Sequence, residues 1–347
     1  CNWENCSGCG ACLNVCPVGA IEMKFSGEGF LYPDIIEEKC IHCNKCRRAC
    51  PALAPVKQHE TPRAFAVMAA TDVRLKSSSG GMFSILADWV LAKGGAVCGA
   101  AWTEDYMAVE HVWVTEKDGL QALRGSKYVQ SDTKETYKEA KKLLEAGKWV
   151  LYTGCPCQIA GLYGFLGKDC EKLLTADIIC HGSNSVTAYQ SFIKEFCEGK
   201  EIERVDFRDK KYFEWSTSTA VYFKDGFVKK AVWNNNAWNT GFSGIMNRMC
   251  CHSCPYAKAE RVGDLTLGDA WQVSRIDKRY DDRKGTSLVL PNSKKGKRIF
   301  EELRTEKRGL FGSKPSAMKL CEEIPLEEIR KYNGQMKIGR ASCRERV

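Results

Sequence analysis

The chain has 347 residues and is 44% hydrophobic, enough for two or three domains at roughly 150 residues each. Its formal charge of +9 comes from Lys and Arg spread along the chain, not gathered in one stripe, so no nucleic-acid footprint is read from it. No apolar run reaches the ~20 residues that a membrane helix needs; the nearest, Met82 to Trp102, is broken by Asp88 and Lys93.

In chain order, the first feature is a cysteine run that occurs twice. Cys6-x-x-Cys9-x-x-Cys12-x-x-x-Cys16-Pro17 is followed by Cys40-x-x-Cys43-x-x-Cys46-x-x-x-Cys50-Pro51. Eight thiolates at this spacing are what two [4Fe–4S] cubes need, and in such pairs the fourth cysteine of each run serves the other cube. Cys6, Cys9, Cys12 and Cys50 are therefore assigned to one cube, and Cys40, Cys43, Cys46 and Cys16 to the other. Structural zinc also uses C-x-x-C pairs, but four ligands satisfy it and a third cysteine two residues on has no role. Cube ligands must stay as thiolates, which points to a reducing cytoplasm. Each cube with its thiolates carries about −2, so two or three cubes would remove roughly four to six of the formal positive charges, and bound cofactor phosphates more.

Residues 1–54 thus read as a dicluster ferredoxin-like domain, with a strand over residues 19–25 after the first cysteine loop. A polar linker with two prolines, residues 55–62, marks a boundary. Beyond it, 64–69 reads as a buried strand and 82–91 as a helix with apolar positions at helical spacing. Strands are expected at 96–102 and 109–115, then a helix capped by Asp132 or Thr133 and running to Leu144. Alternation continues with a strand at 149–152, a helix at 157–166, a strand at 173–180 and a helix at 188–197. That alternation argues for an α/β layer. After residue 204 the strands become consecutive, at 204–208, 217–224 and 227–233, with Asp225-Gly226 as a hairpin signal. The whole is expected to be α+β, a ferredoxin-like domain followed by a mixed α/β domain with an antiparallel section.

Three motifs in the larger part bear on chemistry. Ser77-Ser78-Ser79-Gly80-Gly81 precedes a helix, so hydroxyls, glycine amides and a helix N-terminus converge on a spot suited to a phosphate. The same loop also reads as a solvated turn with a plain N-cap. Arg124-Gly-Ser-Lys127-Tyr128-Val-Gln130 sets two cations and an aromatic near a helix-to-strand junction, although an ordinary surface turn would read alike. Gly154-Cys155-Pro156-Cys157-Gln158 stands where a strand enters a helix, a usual place for reactive groups in α/β folds.

In order along the chain, the double cysteine run, Ser79-Gly80-Gly81, Gly125-Ser126-Lys127-Tyr128, Pro156-Cys157-Gln158, Cys180-His181-Gly182, Cys251-x-x-Cys254 and Gly263-Asp264-Leu-Thr-Leu-Gly268-Asp269 are its distinctive motifs. Together they resemble the family of beta subunits of coenzyme F420 hydrogenases and dehydrogenases, over nearly all of residues 1–335. The resemblance implies a flavoprotein that binds FAD, carries [4Fe–4S] clusters and passes electrons between them and a hydride donor or acceptor. By that carry-over the first part of the flavin domain spans 63–145 and the second 149–335, and Ser79, Gly80, Gly81, Ser126, Lys127 and Tyr128 line the flavin. Cys155 departs from the family's Gly-Thr-Pro-Cys pattern; it is read as an incidental substitution and not as a ligand.

Cys157 and Cys180 each lie at a strand end, and Cys251 and Cys254 form a C-x-x-C pair between elements. These four are expected to hold a third cube beside the flavin, the bland alternative being small buried hydrophobes. Cys98, Cys170, Cys197 and Cys321 have no partner spacing and read as structural; His181 could serve flavin or substrate, or be structural. No strand-Gly-x-Gly-x-x-Gly-helix fingerprint occurs, so a Rossmann NAD site is not expected. The reading is an FAD-dependent iron–sulfur oxidoreductase that converts two-electron hydride transfer at FAD into one-electron traffic through the cubes. It would work with a hydride-carrying coenzyme or organic acceptor and a redox partner protein. The competing readings are a non-catalytic electron-transfer subunit and an iron–sulfur redox sensor. Residue 1 is Cys, so the start reads as missing, and 338–347 resemble a translated sequencing-adapter read-through; neither enters the fold argument.

Overall fold

The structure is a computed structural model that describes residues 2–60, 63–231, 244–271, 273–280, 282–305 and 318–324. The segment 338–347 and the ends of two expected strands and domains, 232–233 and 325–335, lie outside the described residues.

The N-terminal module is small. Two five-residue helices, α1 (Ala11–Val15) and α2 (Lys45–Ala49), follow the cysteine loops, and an antiparallel hairpin joins β1 (Ile21–Phe25) to β2 (Leu31–Ile35). Little apolar surface is buried within it: Ala11, Ala20, Ile21, Phe30 and Ala49 are its main buried apolar residues besides Cys9. A module this size needs its cofactors or a neighbour for stability.

The larger part begins with β3 (Ala64–Ala69), α3 (Thr71–Leu75), α4 (Met82–Ala92), β4 (Ala96–Trp102), β5 (Val109–Val114), α5 (Leu120–Leu123) and β6 (Ser131–Asp132). It continues through α6 (Thr136–Glu145), β7 (Val150–Gly154), α7 (Pro156–Leu166), β8 (Leu173–Ile178) and α8 (Val186–Cys197). A three-stranded antiparallel sheet then forms from β9 (Ile202–Asp206), β10 (Thr219–Phe223) and β11 (Val228–Ala231), β10 in the centre. The last described elements are β12 (Leu265–Asp269), β13 (Ser287–Pro291), α9 (Lys294–Thr305) and β14 (Met318–Ile324).

Nine strands make one mixed sheet in the order β14-β3-β13-β12-β8-β7-β4-β5-β6. Its centre is parallel, from β12 through β8 and β7 to β4, and both wings carry antiparallel pairs. β3, β8 and β13 are buried along nearly their whole length, as strands covered on both faces must be. On one side Met82, Leu86, Val90, Phe300 and Leu303 of α4 and α9 pack on Phe65, Val67, Leu151 and Val289. Tyr137, Ile159, Ala160 and Leu162 of α6 and α7 build a second core with Val150, Tyr152 and Leu173, and this core also takes in Cys9 and Ala11 of the N-terminal module.

The expected α/β alternation and the antiparallel section are therefore present. The helix cap is a correction. The helix starts at Thr136 with Glu135 as an uncapped flanking residue, because the Thr133 hydroxyl donates to the Cys9 carbonyl at 3.1 Å instead.

Candidate functional site

Strands β7, β8 and β12 run parallel, so the residues that follow Gly154, Ile178 and Asp269 emerge at one edge of the sheet. The antiparallel partners β13 and β3 bring Ser287 and Ala69 to that same edge. Ligand sites of α/β sheets form at such carboxyl ends. Here the edge collects Cys155 and Cys157 after β7, Cys180 and His181 after β8, and the Ser77–Gly81 loop after α3.

Six thiols meet there. Cys157, Cys180, Cys251 and Cys254 lie within electrostatic range of one another, as the spacing predicts, and Cys155 and Cys250 join them. The Cys155 and Cys180 sulfurs are 3.8 Å apart. Burial pushes the Cys157 thiol well up, and neighbouring thiolates push it further, while burial sets Cys254 at about 11. Two thiols go the other way. Hydrogen bonding to Cys155 lowers Cys180, and hydrogen bonding to Cys250 lowers Cys251 to about 7. Two guanidinium groups favour these thiolates: Arg261 beside Cys180 and Arg248 beside Cys251. Among the described residues no three Cys, His, Asp or Glu side chains converge as round a single ion, and a cube spaces its four sulfurs more widely than one tetrahedral ion does. Thiolate donors with cationic neighbours form a donor set that fits an iron–sulfur cube.

The segment that brings Cys250, Cys251 and Cys254 is pinned to the loop after β8. Asn184 and Asn247 form an antiparallel bridge, the Arg248 amide donates to the Ser183 carbonyl at 2.9 Å, and the Cys251 amide donates to the Arg248 carbonyl at 2.9 Å. Arg261 fixes the end of β8 itself, donating to Asp177 Oδ1 at 2.8 Å and to the Ile178 carbonyl at 2.9 Å.

Two devices dock the N-terminal module onto this edge. The first is Arg248, which is fully buried. Its guanidinium donates to the Cys6 carbonyl at 2.6 Å, the Leu31 carbonyl at 2.8 Å and Gln130 Oε1 at 3.0 Å, and lies 4.0 Å from the Tyr32 ring centroid. The second is helix α7. A Cβ on Gly161 would stand 2.9 Å from the Cys9 sulfur, and one on Gly164 would stand 2.2 Å from the Ala49 carbonyl. Only glycine lets the helix pass this close to the cysteine loops. The Tyr137 hydroxyl completes the joint, sitting 2.7 Å from the carbonyls of both Cys9 and Gln158. Cys157 at the head of α7 is close enough to Cys9 to feel its charge. The thiol cluster and the first cysteine run are neighbours.

The segments expected to line a flavin also come together. Ser126 Oγ donates to Ser78 Oγ at 2.9 Å, joining the Ser77–Gly81 loop to Ser126-Lys127-Tyr128. Ser79 Oγ donates to the Thr286 carbonyl at 2.9 Å. Gly80 has a packing reason of its own: a Cβ there would lie 2.2 Å from both the Val67 carbonyl and the Ser287 amide. Gly81, at φ 88°, opens the eleven-residue α4 and has no side chain to cap it; the Met82 amide donates to Ser287 Oγ at 3.5 Å. Lys127 folds back on the carbonyls of Arg124 and Gly125 at 2.8 and 3.2 Å, and burial pushes its ammonium down to about 7. Tyr128 accepts from Arg208 at 3.2 Å, and Arg208 grips Asp269 with two hydrogen bonds of 2.8 and 3.2 Å. Lys210, lowered to about 7 by burial and by Arg208, donates to the Ser79 carbonyl at 2.9 Å. Burial lowers His181, with Asp269 opposing. Asp264 is structural, accepting from the Thr175 amide and hydroxyl, whereas Asp269 orients Arg208.

Sequence reasoning set Cys155 aside and passed over Cys250 and Arg248. Cys250 had a signal, its position in a Cys-Cys pair; Arg248 had none, since its partners are 118 to 242 residues away.

Comparison with known proteins agrees with this geometry. The C-terminal domain of the coenzyme F420 hydrogenase/dehydrogenase beta subunit matches residues 147–313, and a 4Fe-4S dicluster domain matches residues 5–54. In the F(420)H(2) dehydrogenase of Methanosarcina mazei, one subunit is 25% identical over 345 residues, 93% of this chain and 94% of that one. The alpha 1 subunit of the acetyl-CoA decarbonylase/synthase complex of Methanosarcina barkeri is 26% identical over 167 residues, which are 47% of this chain and 18% of that one. In fold, the chain is similar to one in the F420-reducing [NiFe] hydrogenase complex from Methanosarcina barkeri, with a TM-score of 0.54, 18% identity, and coverage of 81% of this chain and 88% of that one. With a dicluster domain in front of the matching C-terminal domain, the chain is an iron–sulfur electron-transfer protein related to the beta subunits of coenzyme F420 hydrogenases and dehydrogenases.

Proposed function

We propose that the chain is an FAD-dependent oxidoreductase subunit that takes a hydride from, or gives one to, a reduced coenzyme and exchanges single electrons with a partner through three [4Fe–4S] cubes. The observation that carries this reading is the position of Cys157. It stands among Cys180, Cys251 and Cys254 on one side and within reach of the Cys9 charge on the other. Cys157, Cys180, Cys251 and Cys254 would hold a cube between the Ser79–Gly81 edge and the first N-terminal cube, and Cys155 and Cys250 would hydrogen-bond to its ligands.

FAD, when bound, supplies the exchange between two-electron and one-electron chemistry. The head of α4 and the Ser79 loop would hold its phosphates, because the leading amides and the helix dipole favour an anion. Lys127 and Lys210, both held near neutrality by burial, would gain protons as those phosphates bind. Tyr128, kept in place by Arg208 and Asp269, would set the position of the ring system. By family resemblance, reduced coenzyme F420 is the first hydride donor to try.

The test is anaerobic purification after iron and sulfide reconstitution. Flavin bands at ~450 nm over broad cluster absorbance, about twelve irons per chain, and bleaching by reduced coenzyme F420 are expected. A flavin-free protein that no hydride donor reduces would overturn the converter in favour of a plain electron carrier. Stoichiometric zinc in place of iron would overturn both.

A further inference from the structure

The three thiol groups differ in how they meet solvent. Cys9 is buried against α7, and burial raises the Cys157 and Cys254 thiols of the six-thiol group. The loop of the second run is open. Lys39, Ile41, His42, Asn44, Lys45, Arg47 and Arg48 are all exposed, while their ligand neighbours Cys40, Cys43 and Cys46 are half-buried. Ile41 is 60% exposed, and Val18, two residues after the ligand Cys16, is 41% exposed.

Four exposed cations lie in the same loop as Ile41: Lys39, Lys45, Arg47 and Arg48. No ion pair or side-chain hydrogen bond joins any of them to a described residue. Most exposed cations elsewhere, such as Lys24, Lys134, Lys200, Arg283 and Arg298, do have carboxylate partners. Glu37 and Glu38 lie at one end of the same loop, so the face is polarised rather than uniform. Exposed apolar side chains, Arg in the same loop, and unpaired charge of mainly one sign are features of a surface that meets a protein of opposite charge.

We infer that the loop from Lys39 to Arg48 is the electron exit, and that it docks a small one-electron carrier protein with an acidic face. The inference rests on the two-cube N-terminal module and needs no flavin. One electron leaves the reduced second cube and enters the carrier's oxidised metal centre; no bond forms and no proton moves.

The experiment uses the full reconstituted chain, reduced with dithionite and mixed by stopped flow with oxidised acidic rubredoxin, basic cytochrome c or a neutral quinone. For the parent, the second-order rate with rubredoxin falls as salt is added. In the double variant Arg47→Glu/Arg48→Glu it falls about tenfold or more at low salt, and the cytochrome c rate rises, because steering by surface charge acts on encounter. Iron per chain and the rate with the neutral quinone stay at parental values. An unchanged rubredoxin rate overturns the inference. Equal slowing with rubredoxin and cytochrome c also overturns it, since complementary charge would then play no part. Because dithionite supplies the electrons, a flavin-free chain leaves this result standing, whereas loss of bleaching by every hydride donor speaks only to the converter reading.

Discussion

Replacing Arg248 with Met should release the N-terminal module before it unfolds the sheet. The side chain is fully buried and makes three hydrogen bonds of 2.6 to 3.0 Å, two of them to module carbonyls. Hydrogen bonds to a charged donor contribute about 1.5–3 kcal/mol each, and part of that sum offsets the desolvation of the guanidinium. Methionine fills much of the volume but leaves the Cys6 and Leu31 carbonyls without a donor, so a net loss of about 3–5 kcal/mol is expected, as for a broken buried charged contact. At roughly 2–4 °C per kcal/mol for chains of 150–250 residues, the melting midpoint drops by the order of 10 °C. Two probes should separate. Cluster absorbance near 400 nm should bleach at lower denaturant than tryptophan fluorescence changes, since all nine tryptophans except Trp3 lie beyond the module. A variant that melts with the parent and keeps both transitions together would refute this account of the joint.

Three further outcomes follow from the geometry. Cys251→Ser should lose about four of about twelve irons while FAD stays bound; full iron with only lower thermal stability would make these cysteines plain core residues. Gly161→Val should disturb the first cube and destabilise the chain by about 1–3 kcal/mol through overpacking, because the new Cβ stands 2.9 Å from the Cys9 sulfur and the Tyr137 hydroxyl; unchanged cluster EPR and melting would count against that packing. FAD affinity should weaken as pH rises above about 7, the value to which burial lowers Lys127, because phosphate binding then requires proton uptake; a fluorescence titration from pH 6 to 9 should show this slope flattened in Lys127→Met. The linked sign for the FAD-free chain is opposite. With the folded ammonium lowered, the unfolded chain binds more protons between about 7 and the ordinary lysine range near 10.4, so stability rises with pH across that window.

The elements that sequence reasoning placed well are those whose signal is local. Ala64–Ala69 and Ala96–Trp102 are unbroken apolar or small runs bounded by turn residues, and the structure has strands at both ranges. The Asp225-Gly226 turn joins β10 to β11 with Gly226 at φ 83°, as a hairpin there requires. Non-local choices were not legible. β3 pairs with β13 and β14, more than 200 residues away, and nothing in 64–69 names those partners. Thr133 looked like a helix cap because hydroxyls usually serve the nearest amides; a carbonyl of the cysteine loop, 124 residues earlier, took its hydrogen bond instead. The place of Cys155 beside Cys180 was not legible for the same reason. Its partner Cys180 is 25 residues on, and only the parallel pairing of β7 with β8 brings the two loops together.

The arrangement of charge argues that cluster loading and folding are one process. Six thiols gathered at a sheet edge raise one another's pKa values once any of them ionises, and burial raises most of them further. Without iron, burial and neighbouring thiols favour protonated sulfur at Cys155, Cys157, Cys250 and Cys254. A cube assembled at this site, as proposed, would replace those protons with cationic metal, so its free energy would in part be folding free energy. Arg248 and Arg261 already supply positive charge beside Cys251 and Cys180, the two thiols whose pKa values are lowered. Each guanidinium also carries a structural joint, Arg248 to the N-terminal module and Arg261 to the end of β8. The group that favours a ligand thiolate is therefore the group that orders the surrounding backbone. A chain with the module undocked would lose the cation beside Cys251 as well as the contact, and the third site would form poorly in a truncated protein that begins after residue 62.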